Sequence, residues 1–204
     1  MTALSPEDII KFLKGNVPPL SDTNYGDGYR ASVVLTDGLC LPCVVFRNPT
    51  KIIDLAIRRF KQEQSGKSIF SKSSGLGYRD IVKNFVTGGN CINYYDIAKV
   101  DKSNFAFPEA TLRQIHGETK MSWTGFVAKM KDGKQFAFGT SFFFDFFDMP
   151  KDYIPTDIVE IINHSYLDKN NILKSYMSPT VFEEFDKSLV YRERPYFECY
   201  LDNL

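Results

Sequence analysis

Hydrophobic and polar residues alternate along this chain with a period that changes several times, and each change predicts a different element. The segment 5–8, Ser-Pro-Glu-Asp, is a helix start, because a serine cap, an early proline and two acids suit a helix N-terminus. The apolar residues of 9–13 then form a stripe on one helix face. Gly15 is expected to end this first helix.

Two β-hairpins are predicted from runs of β-favouring residues around Asp-Gly dipeptides. The flanking runs are Tyr29–Thr36 and Leu39–Arg47 for the first hairpin, and Met121–Lys131 and Lys134–Phe144 for the second. The turns are Asp37-Gly38 and Asp132-Gly133, which we interpret as two-residue turns with positive φ at both positions.

The remaining elements are predicted from proline starts, apolar spacing and turn composition. Helices are expected at Thr50–Gln64, Tyr78–Val86, Pro108–His116 and 155–162, with another that begins at Ser178-Pro179. In the first of these, Ile53, Ala56, Ile57 and Phe60 are expected to face inward. Cys91–Val100 is a predicted strand, Leu189–Tyr200 a predicted extended segment, and Ser65–Gly77 a predicted mobile surface loop.

The order of these elements lacks the steady strand–helix rhythm of a parallel α/β protein. We therefore predict an α+β fold, in which a mostly antiparallel sheet built from the two hairpins packs against several helices. The length of 204 residues favours a single globular domain over 1–204, with a soft subdomain boundary near residues 88–90.

Charge and composition narrow the classes of protein. The 25 basic residues balance the 25 acidic ones, which disfavours a protein that coats nucleic acid or an anionic membrane. No apolar run approaches the length of a spanning helix, and the first residues do not resemble a signal peptide. Four cysteines without a secretion signal indicate reduced thiols, so we expect a cytoplasmic protein without membrane association.

The sharpest local chemical signal is Cys40-Leu41-Pro42-Cys43. Two thiols at this spacing are typical of a redox disulfide or of a zinc site. Inside a strand, however, Cys40 and Cys43 point to opposite faces unless a bulge at Pro42 intervenes. We therefore favour the interpretation that the two cysteines are ordinary small apolar residues of a strand over the interpretation that they form a catalytic pair.

Metal and histidine chemistry receive little support. Cys91 and Cys199 would complete a four-cysteine zinc site, but neither has a partner at the usual spacing. His116 and His164 form no zinc-hydrolase motif and are interpreted as capping or surface residues, with a cysteine–histidine pair left open. We expect no bound metal and no cofactor.

Phenylalanines in the second hairpin form an unusual aromatic pattern. Five of them fall on one face of an extended strand: Phe136, Phe138, Phe142, Phe144 and Phe146. The segment 134–138 partly resembles the RNA-contacting strand of RNA-recognition motifs, which runs basic–Gly–aromatic–Gly/Ala–aromatic. Gln135, Gly139 and Ser141 depart from that pattern, so no function is carried over. We favour the interpretation that this face packs in the core, because solvent-exposed phenylalanines would lose the stabilisation that burial of their apolar area gives.

The C-terminal stretch 191–200 mixes tyrosine and arginine, which are enriched at protein interfaces. The predicted binding residues are Tyr191, Arg192, Arg194, Tyr196 and Tyr200. Because the usual catalytic spacings are absent, our first hypothesis is a non-enzymatic module that binds another protein, of the inhibitor, immunity or adaptor type.

Two further hypotheses remain. The second is a cysteine-dependent enzyme or thiol redox protein that uses Cys40 and Cys43 as a dithiol, or one cysteine as a nucleophile. The third is single-stranded nucleic-acid binding through Phe136, Phe138 and Trp123, which the balanced charge makes the least favoured of the three.

Overall fold

The structure is a computed structural model of the 204-residue chain. It describes residues 1–22, 26–64, 90–120, 122–141, 144–177 and 185–204, and in the helix 50–64 the side chains of 59, 60 and 62–64 are not described. The predicted loop 65–77, the predicted helix 78–86 and the first seven residues of the helix expected from Ser178 lie outside the described residues.

The described chain forms two compact units. The first is Met1–Lys102 together with Tyr196–Leu204, and the second is Ser103–Pro195. A single domain and a boundary near 88–90 stay predictions, and residues 88 and 89 lie outside the described ranges.

The first unit is built around a six-stranded mixed sheet. Its α-helices are α1 (Pro6–Asn16) and α2 (Thr50–Gln64), and a 3-10 turn covers Tyr94–Asp96. Its strands are β1 (Pro19–Leu20), β2 (Gly28–Leu35), β3 (Cys40–Arg47), β4 (Cys91–Ile92), β5 (Ile97–Lys102) and β12 (Phe197–Tyr200). The order is β1-β2-β3-β12-β4, with β5 also on β2, and β12 runs parallel to both β3 and β4.

Helix α1 confirms the predicted start. The Ser5 side chain accepts a hydrogen bond from the Asp8 backbone N–H, and Ile9 and Leu13 are fully buried against the sheet. The helix continues past Gly15 to Asn16. The bounds of α2 are also as predicted, but its buried stripe contains Ile52 and Ala56, whereas the side chains of Ile53 and Ile57 are exposed.

The second unit contains a four-stranded sheet and a separate two-stranded one. The larger sheet has the order β11-β7-β6-β8, and β10 pairs only with β9 among the described strands. The strands are β6 (Thr124–Met130), β7 (Gln135–Thr140), β8 (Ile158–Asn163), β9 (Ser165–Leu167), β10 (Leu173–Ser175) and β11 (Val190–Arg192). Helix α3 covers only Glu109–Leu112, and 3-10 turns cover Pro155–Asp157 and Lys187–Leu189.

The core of the second unit is a phenylalanine cluster. The rings of Phe107, Phe126, Phe138 and Phe147 are all fully buried and in mutual contact. Phe126 and Phe138 lie on neighbouring strands and stack with ring centroids 5.6 Å apart. Aromatic pairs at this separation stabilise the packing beyond the burial of their area.

The predicted α+β fold class is wrong. The described chain is mostly β-sheet, its sheets mix parallel and antiparallel pairs, and the two hairpins belong to different sheets. The helix expected over 155–162 is a 3-10 turn followed by strand β8, which pairs antiparallel with β6. The helix expected over 108–116 is reduced to α3. In the segment expected to be extended over 189–200, Leu189 ends a 3-10 turn, and the strands β11 and β12 that follow enter different sheets.

Both hairpins exist, but their turns differ from the predicted type. Gly38 has φ +94° and Gly133 has φ +86°, while the aspartate before each glycine keeps a negative φ. The Gly38 N–H donates to the Leu35 carbonyl, and the Gly133 N–H donates to the Met130 carbonyl, each at 2.9 Å. A turn of this kind, closed by one left-handed glycine, is the next commonest hairpin connection.

Candidate functional site

A groove in the second unit lies between the start of β7, the turn before β11 and the tip of the β9–β10 hairpin. It encloses about 650 Å³, which is within the size range of ligand sites. Its apolar lining consists of Phe136, Ala137, Leu167, Leu189, Val190 and Tyr191. The rest of its described lining is Gly133, Lys134, Gln135, Asn171 and Ser188.

Strand pairing forms the floor of this groove. Val190 of β11 lies opposite Ala137 of β7 in a parallel pair, and both pack with Leu167 on one face of the sheet. The pairing of β11 with β7 starts at this residue pair, although β7 itself begins two residues earlier at Gln135. The edge of β7 therefore opens into the groove at Gln135.

Backbone direction at this opening follows from the hairpin register. The Met130 N–H donates to the Lys134 carbonyl at 2.8 Å, so Lys134 and Met130 form a hydrogen-bonded pair. Backbone groups alternate in direction along an antiparallel strand, and those of the next residue, Gln135, therefore point away from β6. They point to the side where β11 starts, which is the groove side.

Two turns fixed by aspartates form the walls. The Asp186 carboxylate accepts hydrogen bonds from the backbone N–H and the hydroxyl of Ser188, and these bonds lower its pKa. The Asp168 carboxylate accepts the N–H groups of Asn170 and Ile172 at 2.8 and 2.9 Å. The Oδ1 atom of each acid thus holds its turn, while Leu189 stays 39% exposed at the rim.

Lys134 is the one charged residue in the described lining of the groove. Its ammonium lies 3.8 Å from the Asp132 carboxylate and 5.6 Å from the centre of the Tyr153 ring. Lys134 has an exposed side chain, as do Lys169 and Lys187 in the two walls. Each of these lysines lies beside an aspartate, Asp132, Asp168 or Asp186, so the rim carries charges of both signs.

The five predicted binding residues do not form one surface within a unit. Tyr191, Arg192 and Arg194 belong to the second unit, whereas Tyr196 and Tyr200 belong to the first. Tyr191 lines the groove, and its ring also contacts that of Phe138 at 5.5 Å. Tyr191 is thus the predicted residue that the structure places at the candidate site.

Arg192 and Arg194 are engaged within the second unit. The Arg192 guanidinium lies 4.6 Å from the centre of the Trp123 ring, and it donates to both carboxylate oxygens of Glu193. The Arg194 guanidinium lies 4.3 Å from the centre of the Phe105 ring and is ion-paired with Asp148. Both arginines hold neighbouring side chains in place.

Tyr200 and Tyr196 are half-buried in the first unit. The Tyr200 hydroxyl donates to the Glu198 carboxylate at 2.6 Å, and Glu198 lies 3.9 Å from the buried Arg47 guanidinium. Burial and the contact with Glu198 raise the pKa of Tyr200. This tyrosine is a neutral hydrogen-bond donor within its own sheet.

The Cys40/Cys43 pair lies on a β-bulge. One extra residue enters β3, so that Pro42 and Cys43 together face Ser32 of β2. The bulge puts both cysteines on one sheet face, two ladder steps or roughly 6.8 Å apart. That separation is at the upper limit for a disulfide. Cys40 is exposed, Cys43 is buried, and neither is in a disulfide.

The other cysteines and the histidines do not assemble a site. Burial and the Glu198 charge raise the pKa of Cys91, and burial raises the pKa of Cys199 to about 12. His164 has φ +53°, and its Nδ1 lies 3.0 Å from the Thr119 hydroxyl. Within the described residues, no three side chains of metal-binding type converge.

The predicted aromatic face is interrupted because β7 ends at Thr140. Phe138 is fully buried and Phe136 is half-buried against the same cluster, so these two belong to the core. Phe146 is buried outside the strand, Phe144 is 37% exposed, and Phe142 lies outside the described residues. A buried Phe138 ring cannot stack on a base.

Comparison with known proteins finds no matching family model, no matching curated protein and no matching solved structure. No helix in the described ranges has the length and apolar character needed to cross a membrane.

The sequence reasoning missed most of the groove. Leu189 and Asn171 lie in turns beside the strands β11 and β10, and their meeting at the groove depends on how those turns are placed in the fold. One available signal was the pairing of Asp168 and Asp186 with following polar residues, because aspartates in such positions fix tight turns. The sequence gives no sign that those turns face each other.

Proposed function

We propose that this chain is a non-enzymatic protein-binding module, and that the groove of the second unit holds a segment of the partner protein. The partner itself is another protein, as expected for a module of the inhibitor, immunity or adaptor type. A cytoplasmic location is part of the proposal, and it is supported by four cysteines that form no disulfide with one another.

The observation that carries the proposal is the apolar groove beside an incompletely paired strand. Ala137 and Leu167 are already buried, and the apolar area open to a partner belongs to the half-buried Val190 and to the rim residue Leu189, which keeps 39% of its surface exposed. Proteins bury such surface against partners, because apolar area removed from water stabilises the complex by about 25 cal/mol per Å². Tyr191 adds an aromatic wall of the type enriched at interfaces.

Thiol chemistry is the second candidate, and the bulge at Pro42 supports it. That bulge removes the objection that Cys40 and Cys43 point to opposite faces. A redox pair still requires a reactive thiolate and an approach of the two sulfurs. The raised pKa values of Cys91 and Cys199 disfavour those two thiols as nucleophiles.

A random library of short peptides, displayed on phage and selected on the full chain, tests the groove. Each enriched peptide is then measured against Leu189→Asp, which places a charge at the rim without disturbing the core. Leu39→Asp is the matched control, since Leu39 is an exposed leucine in the first unit. Circular dichroism establishes that both variants fold.

We expect peptides that bind the natural chain and the Leu39→Asp control equally, and that bind Leu189→Asp at least about tenfold more weakly, as loss of one good apolar contact gives. Selection that yields no binders, or binders indifferent to Leu189→Asp, overturns the groove as the binding surface.

A further inference from the structure

We propose that Cys40 and Cys43 form a thiol redox site, in which the two thiols are oxidised together to a disulfide by a small-molecule disulfide. This inference names the reactant and the order of events for the thiol chemistry that is the second candidate function. It does not depend on the groove, because both cysteines lie in β3 of the first unit.

Both thiols lie on one face of the sheet. Leu41 and Val44 pack in the same buried core cluster of the first unit, although they are three residues apart. The bulge makes this possible, because β3 has one residue more than β2 between these two positions. Cys40 and Cys43 each directly precede one of them, and successive side chains of a strand point to opposite faces. The two cysteines therefore share the face that is opposite to this core cluster.

Pro42 lies between the two thiols and explains why the bulge occurs here. Proline has no N–H to donate to a neighbouring strand, and a bulge is a position that tolerates it. Only two ladder steps separate the cysteines, or roughly 6.8 Å between their Cα atoms. Disulfides most often join Cα atoms roughly 5.5–6 Å apart. The ladder is interrupted at the bulge, so a shift of about 1 Å at Pro42 brings the two sulfurs within bonding reach.

The two thiols differ in their access to solvent, and this difference sets the order of events. Cys40 is exposed, whereas only 3% of the surface of Cys43 is accessible. A dissolved disulfide therefore reacts first with the sulfur of Cys40, since reactivity requires access. Burial raises the pKa of both Cys91 and Cys199, so these two thiols compete poorly for the reagent.

The reaction consists of two thiol–disulfide exchanges. Cys40 loses its proton, and its thiolate attacks one sulfur of the reagent, which forms a mixed disulfide and releases one thiol of the reagent. Cys43 then loses its proton and attacks the Cys40 sulfur, so that the Cys40–Cys43 bond forms and the second thiol of the reagent leaves. The protein is oxidised by two electrons, and the reagent is reduced to two thiols. Disulfides of this kind in the cytoplasm are transient and serve catalysis or redox sensing.

Oxidised glutathione is the probe, and the natural full chain is compared with single-cysteine variants. After incubation with excess probe and quenching with acid, mass spectrometry of the intact chain and of its peptides identifies the state of each cysteine. Cys43→Ser removes the second thiol, and Cys40→Ser removes the exposed one. Cys199→Ser is the matched control, because it removes a buried cysteine from the neighbouring strand β12. Circular dichroism establishes that each variant folds.

We expect the natural chain and Cys199→Ser to lose two hydrogens, to carry the Cys40–Cys43 disulfide and to retain no glutathione. Cys43→Ser should instead keep one glutathione per chain on Cys40, because no second thiol displaces it. Cys40→Ser should leave Cys43 unmodified, because the exposed thiol that reacts first is absent.

The natural chain alone decides the test if a variant does not fold. A stable glutathione adduct on Cys40, a disulfide that involves Cys91, or unreacted thiols in excess oxidised glutathione would each overturn the redox site. Peptide binding to the groove is measured on the reduced chain, so it succeeds or fails independently of this result.

Discussion

The side chain of Trp123 lies against the backbone of β7, and replacement of Gly139 by alanine should dislodge it. A Cβ atom at Gly139 would lie 2.0 Å from Cζ2 and 2.4 Å from Cη2 of the indole. Ordinary contact begins at 3.4 Å, so the ring must move away by about 1.4 Å. Backbone cannot yield easily here, because Gly139 is paired with strands on both sides.

The loss of stability in Gly139→Ala has two sources: overpacking at residue 139 and the contacts that the displaced indole loses. Overpacking of a filled site costs about 1–3 kcal/mol. The Arg192 guanidinium, 4.6 Å from the ring centre, loses a cation–π contact of about 0.5–1 kcal/mol. Alanine recovers about 0.4–1 kcal/mol by restricting the unfolded chain. We expect Gly139→Ala to lower the free energy of unfolding by about 2 kcal/mol.

Urea unfolding measures this change, and tryptophan emission reports its location. Trp123 is the sole tryptophan, so a red shift of the native emission shows that this ring has moved toward water. Gly15→Ala is the matched control, because nothing lies within 4 Å of its Cβ position and it lies inside α1. That variant should gain about 0.5–1 kcal/mol.

A second background sharpens the test. In a Trp123→Ala chain the obstructing ring is gone, so Gly139→Ala should cost little, with unfolding followed by circular dichroism. If Gly139→Ala is as stable as the natural chain with unchanged emission, or costs the same without the indole, the proposed contact is not what requires glycine.

Three further outcomes are expected. Ser5→Ala should lower the free energy of unfolding by about 1 kcal/mol in urea, since it removes a helix cap; an unchanged midpoint would contradict the cap. An alkylating reagent should modify the exposed Cys40 much faster than the buried Cys199, because burial raises the pKa of Cys199 to about 12. Mass spectrometry measures both rates, and equal rates would contradict the burial of Cys199. Burial alone would raise the pKa of Glu193, but hydrogen bonds, chiefly from Arg192, lower it overall. The ionised Glu193 therefore stabilises the folded protein fully above about pH 4.3, the pKa of an unfolded glutamate. This stabilisation is lost as the pH falls through the lower pKa of the folded state. Glu193→Gln should accordingly destabilise at neutral pH and make no difference in acid, and a pH-independent difference would refute this.

Sequence alone determined those elements of the protein whose hydrogen bonds join residues only a few positions apart. The α1 start at Ser5 and both Asp-Gly hairpins were predictable, because a cap or a turn satisfies its own hydrogen bonds within a few residues. Gly38 and Gly133 adopt a positive φ, as a tight turn requires, and this does not depend on which sheet the flanking strands join. Only the detailed turn type required the structure.

Segment 158–162 shows where local reasoning fails. Ile158, Val159, Ile161 and Ile162 have the spacing of a helix stripe, but they are β-branched, and β6 offers a strand edge for them to pair with. Pairing with a strand some thirty residues earlier decides the outcome, and no local pattern encodes that edge.

Parallel strand pairing and the position of the groove were decided by contacts between segments that are distant in sequence. Tyr191 and Tyr200 lie in one predicted extended stretch, yet β11 joins β7 and β12 joins β3 in separate sheets. The consecutive apolar residues 44–46 of β3 carried a partial signal, since a central strand is buried on both faces. The pairing of β11 with β7 starts two residues too late to cover Gln135, and such a register depends on the packing of distant turns rather than on any single residue.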